Sequence, residues 1–552
     1  MLHGVKTGAL LAGLVLLLAP GPGLAAQSPA DRADPSVVQR ELRDERPLPS
    51  NDLQTPIEQN EAAPAAASGE TILVGAIRVE GATMLPPAAF APAIEPWLGR
   101  PLGEADLSAL ATAVANVARR AGYGLASAWI PRQTIANGVL TVAIDEGRID
   151  AIEAEGSGKA SVEPILARLA DGRPVKTAEL ERQLLLAGDR AGLSVGRARL
   201  EHRGGRNILH VEASRDRAGG RAYVDNWGSS SIGPVRARLD IDVNGLLARD
   251  DRLSLGGVVT PLQPSEFQFA RLGYTLPLDD SGTEVTLAGY VGHSRPGAGV
   301  GGEGLEGTSL DAEATLSHPL LRSRAASLWA NATLGLRDSS LDREGVRERK
   351  DRIATARIGV NGVARAGKGW VRGRLGLVRG VGALGATRQG DPLASRSDAG
   401  AVFTKVEFSA QYAAPLAGRL SLNLAMEGQL ASRPLLASEE MGLGGRSFLR
   451  AYDYREVSGD TGAAASAELR FDVAPLPGLF RRTQLYAFGD AGTVDNLRGG
   501  SGGGSLASAG GGLRIFLKNG LEGNAELGVP IGHSPFHGNP DPRFSFALGY
   551  GF

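Results

Sequence analysis

The sequence predicts a transmembrane β-barrel of about 16 antiparallel strands, formed by residues 219–552 and preceded by two α+β domains. Three observations lead to this prediction. Residues 221–552 alternate between apolar and polar side chains in segments of about ten residues. Residues 71–147 and 148–214 repeat one pattern of strands and helices. The last alternating segment ends on an aromatic residue, Phe552.

Residues 1–26 have the features of a secretory signal peptide. Lys6 precedes the apolar run from Ala9 to Pro20, and the small-residue site Leu24-Ala25-Ala26 follows it. Residues 27–70 are rich in Pro and Ala and predict one short helix, from Pro35 to Glu45, within a linker. After the signal there is no run of about 18 uncharged apolar residues, so we expect no transmembrane helix.

The two predicted α+β domains, residues 71–147 and 148–214, share the order strand, helix, helix, strand, strand. Such an internal duplication commonly presents surfaces to other chains. The predicted segments of the first copy are 72–80, 86–98, 104–121, 125–130 and 139–144. Those of the second copy are 148–154, 162–170, 177–191, 197–202 and 207–211.

The clearest alternating strand of the predicted barrel is Val235 to Asn244. Its odd-numbered residues are aliphatic, whereas its even-numbered residues are Arg, Asp or Asn. A double β-sandwich and a propeller also alternate, but they turn their apolar faces inward. In these segments the polar face carries both positive and negative side chains, as is expected of strands that line a water-filled lumen. Connections of unequal length, with 431–463 far longer than 474–483, also favour a membrane barrel with long outer loops.

Composition excludes several other classes of protein. The chain has 59 Lys and Arg against 60 Asp and Glu, without the excess of positive charge that binds nucleic acid. It has no Cys, which removes thiolate metal sites, iron–sulfur clusters and cysteine nucleophiles. His533 and His537 are separated by Pro535, which prevents a helix that would align them as metal ligands. Since catalytic and phosphate-loop motifs are also missing, we expect no enzyme, no cofactor, no metal and no nucleic-acid partner.

Several motifs resemble those of the two-partner secretion transporters. Residues 128–133 (Ala-Trp-Ile-Pro-Arg-Gln) and 146–148 (Glu-Gly-Arg) are similar to the end of that family's first polypeptide-transport-associated (POTRA) domain, and Asp225-Asn-Trp-Gly228 is similar to the opening of its barrel. The resemblance implies a pore in the bacterial outer membrane, in contact with its lipid, with two POTRA domains in the periplasm. The implied partner is a haemolysin- or haemagglutinin-like exoprotein. By the same resemblance, the helix near Pro35 would plug the pore, and Phe552 would be the signal read by the barrel-assembly machinery.

The predicted connection 431–463 contains a segment similar to the sixth loop of this family. By our count it joins strands eleven and twelve, which places it on the outer side of the barrel. The family motif Val-Arg-Gly-Tyr or Val-Arg-Gly-Phe is replaced here by Leu449, Arg450, Ala451 and Tyr452. Gly445 and Ser447 precede it. The change from Gly to Ala at 451 would matter if that residue needs a positive φ angle.

The resemblance also implies a partner for Arg450 on the barrel wall. In the family the loop folds into the lumen and its Arg meets the acidic residue of a Phe-x-Asp-x-Gly motif, which appears here as Phe488, Asp490 and Gly492. A bidentate carboxylate partner would fix an Arg that is poorly solvated in a narrow lumen. Tyr452 and Phe488 would pack around this pair.

Two alternative functions remain open from the sequence. An insertase for outer-membrane proteins shares the superfamily and the loop motif, but it usually has more POTRA repeats. A passive porin would explain the barrel but not the repeats.

Overall fold

The computed structural model describes residues 34–42, 58–59, 71–135, 137–203, 205–297, 304–474, 478–498, 500, 502–531 and 541–552. The predicted signal peptide and His533 and His537 lie outside the described residues. So does most of the segment 27–70, apart from helix α1 (Pro35–Leu42) and the short strand β1 (Glu58–Gln59). None of the described helices is long and apolar enough to cross a membrane.

The first α+β unit is a three-stranded sheet covered by helices. Strand β6 (Val139–Asp145) lies in the centre, parallel to β3 (Ala76–Glu80) and antiparallel to β5 (Ser127–Trp129). Helix α3 (Glu104–Arg120) packs its apolar face on this sheet, and a two-residue pair, β2 (Ile72–Leu73) with β4 (Pro101–Leu102), lies beside it.

The predicted helix 86–98 is divided into a 3-10 turn, the short helix α2 (Ala91–Ile94) and a second 3-10 turn. Pro87, Pro92 and Pro96 lack the backbone N–H that a continuous helix needs, which accounts for the division.

The second α+β unit repeats this arrangement. Strand β9 (Arg206–Arg215) is central, parallel to β7 (Ala151–Glu155) and antiparallel to β8 (Leu193–Arg203). Helices α4 (Lys159–Leu166) and α5 (Thr177–Gly188) bury their apolar faces against one side of the sheet. Strand β1 adds to the outer edge of β8, so the sheet has four strands in the order β1-β8-β9-β7.

Sixteen antiparallel strands form a closed barrel, which confirms the predicted fold class and strand count. The first strand pairs with the last, from Arg221 opposite Gly551 to Asp225 opposite Ala547. Two short strands within one long loop do not join the barrel. The barrel strands are β10 (Ala218–Asp225), β11 (Arg236–Asn244), β12 (Arg252–Val259), β13 (Phe267–Pro277), β14 (Glu284–Ser294), β15 (Leu305–Arg322), β16 (Ala326–Arg343), β17 (Val346–Ala366), β18 (Gly369–Val381), β19 (Thr404–Ala417), β20 (Leu420–Ala431), β23 (Thr461–Asp472), β24 (Phe480–Asp495), β25 (Gly504–Leu517), β26 (Leu521–Ile531) and β27 (Arg543–Gly551).

The barrel is apolar outside and charged inside. On β11, Leu239 is 46% exposed on the outer face, whereas its neighbours Arg238 and Asp240 line the central cavity. Exposed leucines recur in the same way on the other strands, for example Leu272 on β13 and Leu375 on β18. This orientation is that of a membrane barrel and the reverse of a soluble β-sandwich.

Three strands, β15, β16 and β17, are much longer than the sequence pattern predicts. The alternation of the sequence predicts strand seven near residues 326–337 and strand eight near 352–363. The structure instead continues the pairing to a two-residue turn at Glu344 and Gly345. Both turn residues have positive φ angles, 51° and 79°, as tight hairpin turns require. Apart from Leu341 and Val346, residues 338–351 are polar or Gly, so they give no alternation signal.

The second α+β unit is docked on one rim of the barrel through buried polar contacts. Arg322 at the end of β15 forms hydrogen bonds of 2.8 and 2.7 Å to the carboxylate of Asp189, just after α5. The Ser161 hydroxyl donates to Asp250 in the turn after β11 at 2.6 Å. These contacts hold α5 and the start of β8 at the entrance of the barrel.

Candidate functional site

The lumen of the barrel is the candidate functional site. It forms a cavity of about 2190 Å³ that extends from Leu184 and Ser194 at the docked rim to the loop residues Gly444 and Arg450. Its wall carries Arg, Asp and Glu side chains from most strands. Two elements obstruct it, the connection between β20 and β23 and helix α1.

The connection between β20 and β23, residues 432–460, folds back into the lumen. Its stem is a small hairpin of β21 (Met441–Leu443) and β22 (Val457–Gly459). The tip residues between these strands pack with the stem against the wall strands β23, β24 and β25. This cluster consists of Met441, Leu443, Phe448, Leu449, Ala451, Tyr452, Val457, Ala464, Val494 and Leu506.

Arg450 is the central residue of the loop tip, and its side chain is only 8% exposed. Its guanidinium donates to both oxygens of Asp490, with Nε and Nη2 each at 3.1 Å. The backbone N–H of Arg450 also donates to Asp490 at 3.2 Å. The structure therefore brings together the two residues that the family resemblance pairs.

Arg450 also contacts two carboxylates that the sequence analysis did not assign to the site. Its Nη1 lies 2.9 Å from Glu468 on β23 and 3.1 Å from Glu526 on β26. The three carboxylate side chains are at most 4% exposed. One guanidinium therefore connects the tip to three wall strands, because Asp490 lies on β24.

The three carboxylates differ in the ion pairs and hydrogen bonds that they form with residues other than Arg450. Glu468 also binds Arg470 and Arg514, and Glu526 accepts a 2.8 Å hydrogen bond from the hydroxyl of Tyr486. Among the described residues, Asp490 has only a 3.4 Å hydrogen bond from Ser508 besides those from Arg450. Of the three carboxylates, Asp490 thus depends most on Arg450 for neutralisation of its charge.

The two predicted aromatic residues lie beside this ion cluster. The guanidinium of Arg450 is 3.5 Å from the ring centroid of Phe488, a cation–π contact. Tyr452 is fully buried, and its hydroxyl donates to the carbonyl of Ala507 at 3.0 Å. The carbonyl of Tyr452 accepts a 2.7 Å hydrogen bond from Arg543 on β27.

Within the motif 449–452, Leu449 has a positive φ angle (60°), whereas Ala451 does not. The departure from Gly at 451 therefore introduces no backbone strain. The wall residue opposite is Gly528 on β26, where an added Cβ would lie 3.1–3.2 Å from Ala451. Close approach at this point thus depends on a glycine of the wall, which the sequence analysis did not identify.

The other residues predicted for the loop and wall motifs differ in how closely their neighbours pack against them. Gly445 has a φ of 108°, and an added Cβ would lie 3.3 Å from the Tyr454 ring. Gly492 lies on β24, where an added Cβ would be 3.1 Å from Leu443 of the loop stem. Ser447 is exposed at the tip.

The loop stem has its own buried ion pairs with the wall. Glu439 receives Arg337 from β16 at 2.9 Å and the ammonium of Lys405 from β19 at 2.8 Å. The neighbouring Glu440 receives Arg396 at 2.7 Å. No local sequence motif marks these contacts, since the partners are tens of residues apart.

Helix α1 lies inside the barrel against β13, β14 and β15. Val37 and Val38 are buried in a cluster with Phe267, Phe269 and other apolar residues of the wall. The hydroxyl of Tyr454, in the inserted loop, donates to the carbonyl of Val37 at 2.8 Å. The helix and the inserted loop are therefore in direct contact.

Phe552 lies at the seam where the barrel closes. Its backbone exchanges hydrogen bonds of 2.9 and 3.1 Å with Gly220 of β10. Its ring is 60% exposed and stacks with Tyr550 at 6.0 Å on the outer face. The residue is accessible to another protein or to lipid.

Two family models match this sequence. A model described as haemolysin secretion/activation protein ShlB/FhaC/HecB matches residues 204–515, more than half of the chain. A POTRA domain model of ShlB type matches residues 72–147, the first α+β unit.

Named relatives of the chain are transporters. The heme/hemopexin transporter protein HuxB of Haemophilus influenzae is 23% identical over 387 residues, which cover 68% of this chain and 67% of the relative. The outer membrane transporter CdiB of Escherichia coli is 31% identical over 157 residues, which cover 28% of this chain and 26% of the relative.

Solved structures share the fold. The structure of CdiB from Escherichia coli superposes with a TM-score of 0.72 and 22% identity, covering 96% of this chain and all of that one. The structure of BamA from Haemophilus ducreyi lacking POTRA domains 1–3 gives a TM-score of 0.53 with 13% identity, covering 88% of this chain and all of that one.

Proposed function

The chain belongs to the haemolysin secretion/activation protein family ShlB/FhaC/HecB, and we propose that it exports an unfolded exoprotein through the lumen of its own barrel. It is an outer-membrane transporter of the two-partner secretion class, with its POTRA region in the periplasm.

One observation carries the proposal. The lumen is wide and charged, yet a loop and a helix occupy part of it, and their contacts with the wall are made mainly by side chains. Neither element is part of the barrel's strand pairing. Both can therefore leave the lumen without breaking the barrel, as the passage of a polypeptide requires.

The domain organisation follows from this proposal. Residues 71–147 and 148–214, as two POTRA domains, capture the exoprotein by adding its extended segment to a strand edge or groove. Residues 27–70 plug the pore, and residues 219–552 form the channel. The contacts of α1 with the lumen wall support the plug.

The inserted loop controls the path in this proposal. Arg450 paired with Asp490 serves as a structural and gating contact, with Tyr452 and Phe488 as its packing. The apolar outer face contacts outer-membrane lipid. Phe552, exposed at the seam, is the residue that the barrel-assembly machinery recognises. We propose a transport role and no catalytic one, in line with the named relatives.

Two other functions predict different measurements. An insertase is suggested by the similarity of fold to BamA, and its removal would lower the amounts of other outer-membrane β-proteins. A passive porin would conduct steadily with its N-terminal region intact.

The test is co-expression of the full chain with a haemolysin-like exoprotein in a bacterial host that lacks both. We expect the exoprotein in the medium only when the chain is present, with the levels of other outer-membrane proteins unchanged. Retention of the exoprotein in the periplasm, with the chain inserted in the outer membrane, would refute export of that class of cargo.

A further inference from the structure

The second α+β unit covers part of the periplasmic rim of the barrel, and its side chains pair with the charges there. Asp280, in the turn after β13, lies 3.7 Å from Arg190 of that unit. Arg324, in the turn after β15, lies 3.5 Å from Glu181. The charges on this part of the rim are therefore matched by the protein itself.

Three other periplasmic turns carry positive charge. The exposed cations on them are Arg419 between β19 and β20, Arg481 and Arg482 at the start of β24, and Lys518 between β25 and β26. These turns are neighbours, because β20 pairs with β23 and β24 pairs with β25. Their backbones also touch, since the N–H of Lys518 donates to the carbonyl of Leu479 at 2.9 Å.

Of these four cations, only Arg482 has a carboxylate partner among the described residues. Its Nε and Nη2 donate to the two oxygens of Asp472 at 2.7 and 2.9 Å. Arg419, Arg481 and Lys518 form no ion pair with any described carboxylate. Three unpaired like charges on neighbouring turns repel one another, so this part of the rim favours an anion.

The cations border a cleft of about 520 Å³. Its lining includes Arg419, Asp472, Phe480, Arg481, Arg482 and Phe516. Arg482 pairs with Phe516, which also lines the lumen, whereas Phe480 pairs with Leu517. Because successive residues of a strand point to opposite faces, Phe480 lies on the outer face of the barrel. The cleft thus crosses the rim from the mouth of the lumen to the lipid-facing side.

The outer side of the cleft lies where the apolar face of the barrel ends. Phe471 and Leu485 are paired on β23 and β24, and they are 45% and 48% exposed. Leu479 and Phe480 follow towards the periplasm and are 64% and 36% exposed. Aromatic side chains mark the two membrane interfaces of outer-membrane barrels. The unpaired cations therefore lie at the depth of the lipid headgroups.

We propose that this cleft binds the headgroup of an anionic phospholipid in the periplasmic leaflet of the outer membrane. Arg419 and Arg481 hold the phosphate, since guanidinium groups match phosphate oxygens in pairs. Lys518 adds a positive charge beside it, and the acyl chains run along Leu479 and Phe480. Binding of this lipid does not depend on whether the chain exports an exoprotein.

The surroundings of the cleft favour a lipid over a soluble anion or a protein segment. A soluble anion would contact the guanidinium groups but would leave Leu479 and Phe480 exposed. A lipid satisfies both the cations and the apolar side chains at once, as basic pockets beside membrane-spanning segments do. A bound lipid also fixes a part of the rim that lies away from the contacts with the second α+β unit.

Lipid binding is measured by native mass spectrometry of the full chain in a neutral detergent. The probe is phosphatidylglycerol, and zwitterionic phosphatidylcholine is the comparison. A basic residue near a membrane surface strengthens attraction to anionic lipid by about fivefold. The variant Arg419→Gln/Arg481→Gln/Lys518→Gln should therefore bind phosphatidylglycerol roughly 100-fold more weakly, with its binding of phosphatidylcholine unchanged. Equal binding of the two lipids by the wild-type chain would overturn the proposal.

The matched control removes three exposed cations from the α+β units, in the variant Arg120→Gln/Arg132→Gln/Arg168→Gln. It changes the net charge by the same amount and should bind phosphatidylglycerol as the wild-type chain does. An equal loss of binding in this control would show a general effect of charge and would refute the cleft. Excess inorganic phosphate should leave the lipid bound, and complete displacement would show a simple anion site instead.

The gel mobility of the unheated variants reports whether the barrel is folded. If the triple variant does not fold, Arg481→Gln alone tests the same site and should weaken binding about fivefold. An export assay separates lipid from exoprotein as the ligand. A folded triple variant that keeps wild-type affinity for phosphatidylglycerol but loses export would assign the cleft to the exoprotein and overturn the lipid site.

Discussion

Replacing Arg450 by alanine removes a side chain that joins the loop tip to three wall carboxylates. Glu468 keeps Arg470 and Arg514, and Glu526 keeps the hydroxyl of Tyr486. Asp490, whose side chain is fully buried, keeps hydrogen bonds from the backbone N–H of residue 450 and from Ser508 but loses its charged partner. The substitution therefore leaves one buried carboxylate, that of Asp490, without a charged partner.

Removal of one partner from a buried ion pair costs about 3–5 kcal/mol. Since about 1.4 kcal/mol corresponds to a factor of ten, the ratio of docked to undocked tips should fall by about 100-fold to several thousand-fold. The barrel itself should still insert, because strand pairing does not involve the Arg450 side chain. We expect export to be abolished, since the tip no longer has a defined position in the lumen.

The population of undocked tips can be measured by limited chymotrypsin digestion beside Phe448, which is buried when the tip is docked. The cleavage rate of Arg450→Ala should rise by at least about 100-fold if it follows the open population. Exoprotein in the medium reports export, and the gel mobility of the unheated protein reports barrel folding.

The matched control is Arg446→Ala in the same loop. Arg446 is exposed, and its guanidinium lies 4.9 Å from the Trp227 ring without a buried carboxylate. It should change cleavage and export only slightly. Adding Asp490→Asn to Arg450→Ala should recover part of the docking, because the orphaned charge is removed. Wild-type cleavage and normal export in Arg450→Ala would refute the reasoning.

Three further predictions concern the plug and the α+β units. Deleting residues 27–70 should raise the resting conductance in planar bilayers because α1 leaves the lumen, and unchanged conductance would contradict the plug. Tyr454→Phe removes the hydrogen bond to Val37, which stabilises the docked helix by about 0.5–1.5 kcal/mol. Channel openings in planar bilayers should therefore become roughly 2- to 12-fold more frequent. A Tyr454→Phe channel as quiet as wild type would show that this contact does not hold the plug. Deleting residues 71–214 should prevent capture of the exoprotein while the barrel still inserts. Export assays would report the first effect and heat-modified gel mobility the second. Retained export would contradict the receptor role of the two α+β units.

The sequence predicted the barrel because lipid and water impose opposite polarities on the two faces of each strand. The pattern on Val235 to Asn244 is typical, and the structure has all sixteen strands. The prediction was wrong about the length of strands β15 to β17, since beyond the membrane both faces meet water and alternation disappears. Asp342 and Arg343 on one side of that hairpin, and Arg347 and Glu348 on the other, carry no information about which face is inside.

The site was predictable only where a motif marked it. Arg450 and Asp490 stood in recognisable motifs, but Glu468 and Glu526 contact the same guanidinium through strand register, which one sequence does not encode locally. The alternation of residues 464–473 does predict a strand with Glu468 on its charged face. Gly528 was one glycine among 77, and nothing near it indicated that a loop would pack against it.

The ion cluster at the loop tip also bears on which small ions the pore prefers. With the tip docked, the carboxylates of Asp490, Glu468 and Glu526 face three guanidinium groups, those of Arg450, Arg470 and Arg514. Withdrawal of the tip removes one positive charge and leaves the wall at this level with an excess of one negative charge. A ring of carboxylates in a pore favours cations. The closed pore is balanced here, whereas the open pore should pass potassium more readily than chloride, so the reversal potential in a salt gradient would report the position of the loop.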